Sequence, residues 1–273
     1  MRLVHALREM GIDSVLAPLL AVDRKLSSEL HAYPGYCIAR SLFICDQFAV
    51  AEGLNPDQWR HFRLTLSTIH GRGLEQAFLG HIRQETFELP SAQFFEQVLM
   101  SAKSIPAGDD ARSRLAALHR ERESTILAML DRARFLGVSL RSIPFHRVIC
   151  HGDIRAANIL VGEDGRIWLV DWDGPLMAPG ERDPFFDVDS RVVRRVEPAE
   201  EKYFFNGYGH VPVGREALVY FRYEHLIEDI GEIGRSVLWN RSQSEEPLNA
   251  ELELAVSFLS SGGDVEVVEQ VVI

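Results

Sequence analysis

The 273-residue chain contains only three lysines, Lys25, Lys103 and Lys202, and three cysteines, Cys37, Cys45 and Cys150. Cysteines so few and so irregularly spaced exclude a disulfide framework and a zinc-ligand pattern. No apolar run approaches the roughly eighteen residues of a membrane span. The N-terminal MRLVHALREMGIDSV carries Arg2, Arg8 and Glu9 and lacks the apolar stretch of a secretory signal. The chain therefore reads as a reduced, cytoplasmic protein. Positive charge is scarce: the formal net charge is −11, and no basic patch with interleaved aromatics argues for a nucleic-acid partner. Net negative charge suits a cationic small molecule or a metal ion, and it also simply keeps a protein in solution. Repeats and low-complexity linkers are missing too. With 46% hydrophobic and 25% charged residues, the composition is that of an ordinary globular protein with a sizeable core.

Helical spacing over residues 3–10 ends at Gly11, a plausible cap. VLAPLLAVD (15–23) and YCIARSLFI (36–44) are predicted as strands joined by the polar RKLSSELHAYPG. A helix opens at Pro56 and Asp57 and carries Trp59, Phe62, Leu66 and Ile69 on one face. Helical periods follow at 91–100 and 110–136, separated by SIPAGDD. Three short apolar runs come next: RVIC (147–150), NILV (158–161) and RIWLVDW (166–172). The last two should pair as a hairpin turning at Asp164-Gly165. Beyond Pro184 the pattern returns to helix, at 200–209, 215–239 and near 250–259.

The chemistry concentrates in ICHGDIRAANILV (149–161) and DWDG (171–174). His151-x-Asp153, Asn158 five residues on and Asp171 thirteen further form the spacing of a kinase catalytic loop and metal loop. Phosphoryl transfer needs a carboxylate where a substrate hydroxyl loses its proton, which assigns Asp153 as base. Mg²⁺ prefers oxygen ligands, which suits Asn158 and Asp171. His151 is expected to pack and hydrogen-bond behind the loop. Asp and Asn are also ordinary turn residues, so the motif alone says little. A second acid motif at the right offset, with strand, turn and strand between, argues against coincidence.

These residues resemble the aminoglycoside phosphotransferase family, the small-molecule branch of the protein-kinase-like fold. HGDIRAANILV is similar to its catalytic loop. LVDWDGPLMAPGERD, FRYEHLIEDIGEI and FLSSGGDVEVV resemble the branch that includes spectinomycin phosphotransferase. The resemblance implies an α+β, kinase-like fold, with a reduced N-terminal β lobe and hinge over 1–51 and a mostly helical C-terminal lobe over 52–273. It implies ATP and Mg²⁺ as cofactors, Asp153 as catalytic base, and Asn158 and Asp171 as metal ligands. Asp173 would support the metal site or its loop. Backbone near Ile44, Cys45, Asp46 and Gln47 falls at the family hinge that meets adenine. Carboxylates for a cationic aminocyclitol are sought at Asp187, Asp189, Glu224, Glu228 and Asp229. Glu224 and Glu228, four apart on a helix, share a face with Asp229 adjacent. Each of these acids also reads as a solvated surface group; Tyr220 and Tyr223 read as aromatics for stacking on a sugar or, more commonly at helical spacing, as core. Glu181, Arg182 and Asp183 read as a structural ion pair and helix cap.

The departure from the family is at the front. A complete member carries a phosphate-covering loop and a strand Lys paired with a helix Glu; here the chain starts at MRLVHALREMGI, and none of the three lysines lies in such a strand. A start codon assigned too far downstream, a truncated relic and a non-catalytic binding module are the explanations open. The chain as written is expected to phosphorylate slowly or not at all. The leading reading is an ATP-dependent O-phosphotransferase acting on an aminoglycoside-like molecule. Kinases of another small alcohol, an amino alcohol or a sugar, and a ligand-binding pseudo-kinase stay open. Oligomeric state is not legible.

Overall fold

Helix α1 (Arg2–Glu9) buries Leu3, Val4 and Leu7, positions that a 3.6-residue period sets on one face. It ends at Gly11 as expected, with φ at 85°. Gly11 N–H bonds Arg8 O at 2.9 Å and Ile12 N–H bonds Leu7 O at 3.1 Å, which satisfies two carbonyls of the last turn. The computed structural model describes residues 1–71, 73–183, 214–240, 242 and 244–269. The chain divides into two compact units, Met1–Gln84 with His146–Pro212, and Glu85–Phe145 with Val213–Ile273. Residues 1–51 all fall in the first.

In the first unit the two long strands expected early in the chain do not form. β1 (Ser28–Glu29) and β2 (Cys37–Ile38) pair antiparallel, with Ser28 opposite Ile38. The ladder thus lies partly in the stretch read as a connecting turn. Pro18 interrupts the first apolar run and removes a ladder donor. Leu19, Leu20 and Val22 are exposed, so alternation there finds no buried face to stabilise it. Helices α2 (Ala49–Glu52), α3 (Pro56–Gly71) and α4 (Glu75–Phe78) follow. In α3, Trp59, Phe62, Leu66 and Ile69 are buried, as their spacing predicts.

The remaining strands are β3 (Arg83–Gln84), β4 (Arg147–Cys150), β5 (Ile159–Val161), β6 (Ile167–Leu169) and β7 (Leu176–Pro179). β5 and β6 make the expected hairpin, Leu160 opposite Trp168, with Gly165 at φ 77° in the turn. β4 pairs with β7, Ile149 opposite Met177, and β3 lies parallel on the other edge of β7. β7 was not foreseen: all four of its residues are buried, so no in–out alternation marks it. Leu7, Phe62, Leu66, Ile154, Ile159 and Leu169 share one apolar core, which draws α1, α3, the hairpin and the loop after β4 together.

The second unit is helical: α5 (Ala92–Lys103), α6 (Ala111–Glu121), α7 (Glu123–Leu140), α8 (Arg215–Gly234), α9 (Glu245–Leu259) and α10 (Asp264–Glu269). The period over 110–136 breaks at Arg122 (φ −98°, ψ 10°), so one expected helix is two. Asp110 caps α6 by accepting from Ser113 N–H at 3.0 Å. α8 is buried nearly all round, packs on α5 and α7, and places Tyr220 and Tyr223 in the core. The helix expected at 200–209 lies outside the described residues. Among those described, no helix is long and apolar enough to cross a membrane.

His119 in α6 is 2% exposed, and neither ring nitrogen has a hydrogen-bond partner. Burial alone pushes its pKa down to about 4. The unfolded chain binds a proton near pH 6.5, where the folded chain does not, so stability falls as pH drops from about 6.5 to about 4. His119→Leu should remove about 3 kcal/mol of that fall without loss of stability at pH 7. Urea unfolding at pH 7 and pH 4.5 checks it; an unchanged pH slope would count against it.

Candidate active site

The residues of the catalytic-loop motif are set by what surrounds them. β4 delivers the chain to His151, and Ile154 and Ile159, both buried, pin the loop from behind. His151 is fully buried. Its Nε2–H donates to Val170 O at 2.8 Å, and its Nδ1 accepts from Asp153 N–H at 3.3 Å. A carbonyl only accepts, so these partners define the tautomer. Its ring also packs on Trp172, centroids 4.5 Å apart.

Asp153 is partly exposed. One carboxylate oxygen meets Arg155 Nε, and the other accepts from Asn158 Nδ2 at 3.1 Å. Asn158 Nδ2 also donates to Asp153 O at 2.9 Å, which leaves the amide oxygen as an acceptor. Arg155 was not singled out from sequence. Its guanidinium lies against the Asp153 carboxylate.

Asp171 lies on the second loop, and the structure ties it to the first. Val170 N–H bonds Asn158 O at 3.0 Å, and Val170 O takes the His151 bond. Trp172 is buried and donates Nε1–H to Leu169 O at 3.1 Å, so Asp171 and Asp173 on either side of it are exposed. Asp171 adopts φ 62°, a left-handed conformation that costs a non-glycine residue on the order of 1–2 kcal/mol. The oxygen donors of Asn158 and Asp171 fit a hard divalent cation.

Asp183, read with Glu181 and Arg182 as an ion pair and helix cap, pairs with His70 and reaches back to the catalytic loop. Fully buried, it accepts from His151 N–H at 2.9 Å through Oδ2 and from Gly152 N–H at 2.9 Å through Oδ1. Oδ2 also meets His70 Nε2 at 2.9 Å. Burial pushes this carboxyl up. The bond from His70, the nearby imidazoles and the Gly152 N–H outweigh burial and hold it below the ordinary Asp value. Its stabilising effect is complete above the unfolded pKa near 3.9 and is lost as pH falls through its own lower pKa. Cys150 lies in the same buried cluster with His70 and Asp183. Burial raises the thiol, which donates towards Pro179 O at 3.5 Å, so the group is held by hydrogen bonds as a protonated thiol. Asp183 closes the stretch LVDWDGPLMAPGERD, but nothing in it names its partners, and His70, on an apolar helix face, reads as a core histidine.

Of the residues expected at the hinge, Ile44 and Cys45 are half-buried and Asp46 and Gln47 exposed. Gln47 O accepts from Val161 N–H at 2.9 Å, and Cys45 Sγ donates to Val161 O at 3.2 Å, which brings this segment to the hairpin. Lys25 pairs with Asp23 at 3.3 Å. Of the candidate substrate carboxylates, Asp187 and Asp189 lie outside the described residues. Glu224 is buried, Glu228 exposed and Asp229 half-buried, all on α8 in the second unit. The shared helical face inferred from their spacing is therefore not a uniform acidic surface.

The pattern of the phosphotransferase enzyme family matches residues 49–208, more than half of the chain. The chain belongs to that family. A crystal structure of spectinomycin phosphotransferase with ADP and spectinomycin is 24% identical, with a TM-score of 0.84, over 98% of this chain and 80% of that one. An aminoglycoside phosphotransferase from Alicyclobacillus acidocaldarius is 13% identical, TM-score 0.60, over 98% and 82%. An ethanolamine kinase from Plasmodium vivax is 11% identical, TM-score 0.55, over 93% and 69%. These likenesses establish a kinase-like fold for this phosphotransferase, as the α+β reading expected.

Gly152 joins the two loops closely. Its φ is 88°, and a Cβ there would lie 2.7 Å from Gly174 O and from Leu176 Cδ2. Gly165, φ 77°, has open space around it. Gly152→Ala should lower the unfolding free energy by about 2 kcal/mol or more, and Gly165→Ala by about 1 kcal/mol. Denaturant melts compare them; equal losses would mean the close approach is not felt.

Proposed function

We propose that this phosphotransferase moves the γ-phosphoryl group of ATP to a hydroxyl of a cationic small molecule of the aminocyclitol or aminoglycoside class. The observation that supports the reading is that Asn158 bonds Asp153 directly, while Val170, the residue before Asp171, bonds both Asn158 and His151. Asp153 takes the proton as the substrate oxygen bonds to phosphorus and the bond from phosphorus to the bridging oxygen of ADP breaks. Arg155 orients the base. Asn158 and Asp171 would hold Mg²⁺, which when bound neutralises charge on the phosphoryl oxygens. Asp173 supports the same loop.

In this reading residues 1–51 are the nucleotide side of the fold, and Ile44–Gln47 form the hinge. Contact of Gln47 and Cys45 with Val161, on the hairpin that follows the catalytic loop, supports it. The substrate class rests on likeness to spectinomycin phosphotransferase and on a net charge of −11, which favours a cation. The weaker likeness to ethanolamine kinase makes amino alcohols the alternative acceptors to include.

Radiolabel transfer from ATP across a panel of aminocyclitols and amino alcohols is the test. Asp153→Asn should lower turnover about 10²–10⁴-fold. Asp171→Asn and chelation should each abolish transfer, with Mg²⁺ restoring the parent protein alone. Full turnover by Asp153→Asn would refute the assignment, and transfer only to amino alcohols would replace the substrate class.

A further inference from the structure

Half of the large apolar side chains exposed among the described residues lie between Leu19 and Phe48, a small part of the chain. Val22 is wholly exposed and Phe43 is 83% exposed, with Tyr33, Tyr36, Ile38 and Leu42 open as well. The stretch is nonetheless folded on itself. Leu19 N–H bonds Arg40 O at 2.6 Å, Ala21 N–H bonds Lys25 O at 2.8 Å, and Leu30 N–H bonds Tyr36 O at 2.9 Å. With the β1–β2 ladder, these bonds gather three runs of chain into one local surface. All four residues of the ladder are exposed, so neither of its faces is covered. Leu19, Val22, Leu26 and Ile38 line a groove there of about 460 Å³, and Asp23 and Arg40 lie on the same wall.

A two-stranded ladder is marginal by itself and gains stability when a face is packed. At their observed exposures the apolar side chains of this stretch leave on the order of 1,000 Å² open, taking roughly 150–250 Å² for a whole large side chain. The largest apolar patch of a monomer is roughly 300–600 Å², whereas a stable dimer hides about 800 Å² on each partner. The area thus suits a protein partner. Charge narrows the choice. Asp23, Glu29 and Asp46 balance Arg24, Lys25 and Arg40, so the formal sum over residues 19–48 is zero in a chain of net charge −11. A nucleic acid or an anionic membrane would need a basic excess. Two copies of the chain repel each other through their acidic surfaces, and this face is where they meet without that cost. Exposed Tyr and Phe are also the residues that interface cores favour. In a twofold pair the same groove lies on both partners, so Asp23 and Arg40 of one copy face the same two groups of the other, acid against base.

We propose that residues 19–48 form the twofold interface of a homodimer, with Val22 of each copy packed against the groove of the other. Assembly through this face does not depend on which acceptor is phosphorylated.

Sedimentation velocity from about 1 to about 50 µM tests it. The parent protein should run as two 30.9 kDa chains by about 10 µM. Val22→Asp, in an exposed turn, should raise the dissociation constant at least about thirtyfold. Phe135→Asp, equally open but on α7, should leave it within about threefold. Amide hydrogen exchange of the parent protein needs no variant, and it decides alone should Val22→Asp fold poorly. Residues 19–43 should exchange at least about fivefold more slowly at the upper end of the concentration range than at the lower. A parent protein still monomeric at about 50 µM would overturn the proposal and leave the face to a different polypeptide. A dimer that Val22→Asp leaves intact, or that Phe135→Asp weakens as much, would overturn it too. So would concentration-dependent protection that falls outside residues 19–43.

Discussion

A buried carboxylate is tolerated only when its lone pairs are matched by donors, and Asp183 meets that condition by reaching into the loop before the candidate base. Its partners are two consecutive backbone amides and a histidine from α3. The requirement runs both ways. The amides of His151 and Gly152 sit where no strand ladder serves them, and they too need an acceptor. Neither side of this arrangement is stable alone in a dry interior, so the loop and the segment bearing Asp183 are locked by mutual need.

From that lock the rest of the candidate site can be built outward. His151, fixed by its main chain, passes the constraint through its ring to Val170 and Trp172. Val170 in turn binds Asn158, so the candidate base and both candidate metal ligands depend on a few short backbone links. Trp172 between two acids acts as a peg, its burial turning Asp171 and Asp173 outward. The left-handed backbone at Asp171 is held against its preference by these neighbours. Concentration of strain there, while the β5–β6 hairpin beside it is regular, is consistent with a site in which geometry is stabilised by its surroundings.

Legibility in the sequence differed by the range of the determining force. α1, α3, the hairpin and α9 were readable because local period, cap and turn chemistry agree with their final burial. The strands expected at 15–23 and 36–44 failed for lack of a covered face, and the break at Arg122 interrupts a period that continues across it. β7 has no alternation to read, since both faces are covered. In the site, Asp153, Asn158 and Asp171 were visible from spacing, because phosphoryl chemistry demands those residue types at those offsets. Arg155, Asp183 and His70 were not visible as a group, because nothing in a linear pattern relates position 70 to position 183.

The chain by itself determined the family, the candidate base and metal ligands, and the α+β class, since each follows from residue type and short-range order. Tertiary structure alone decided how those ligands are held. A hydrogen bond needs its donor and acceptor within about 3 Å. Only the folded core brings the end of α3, the loop after β4 and Asp183 within that distance.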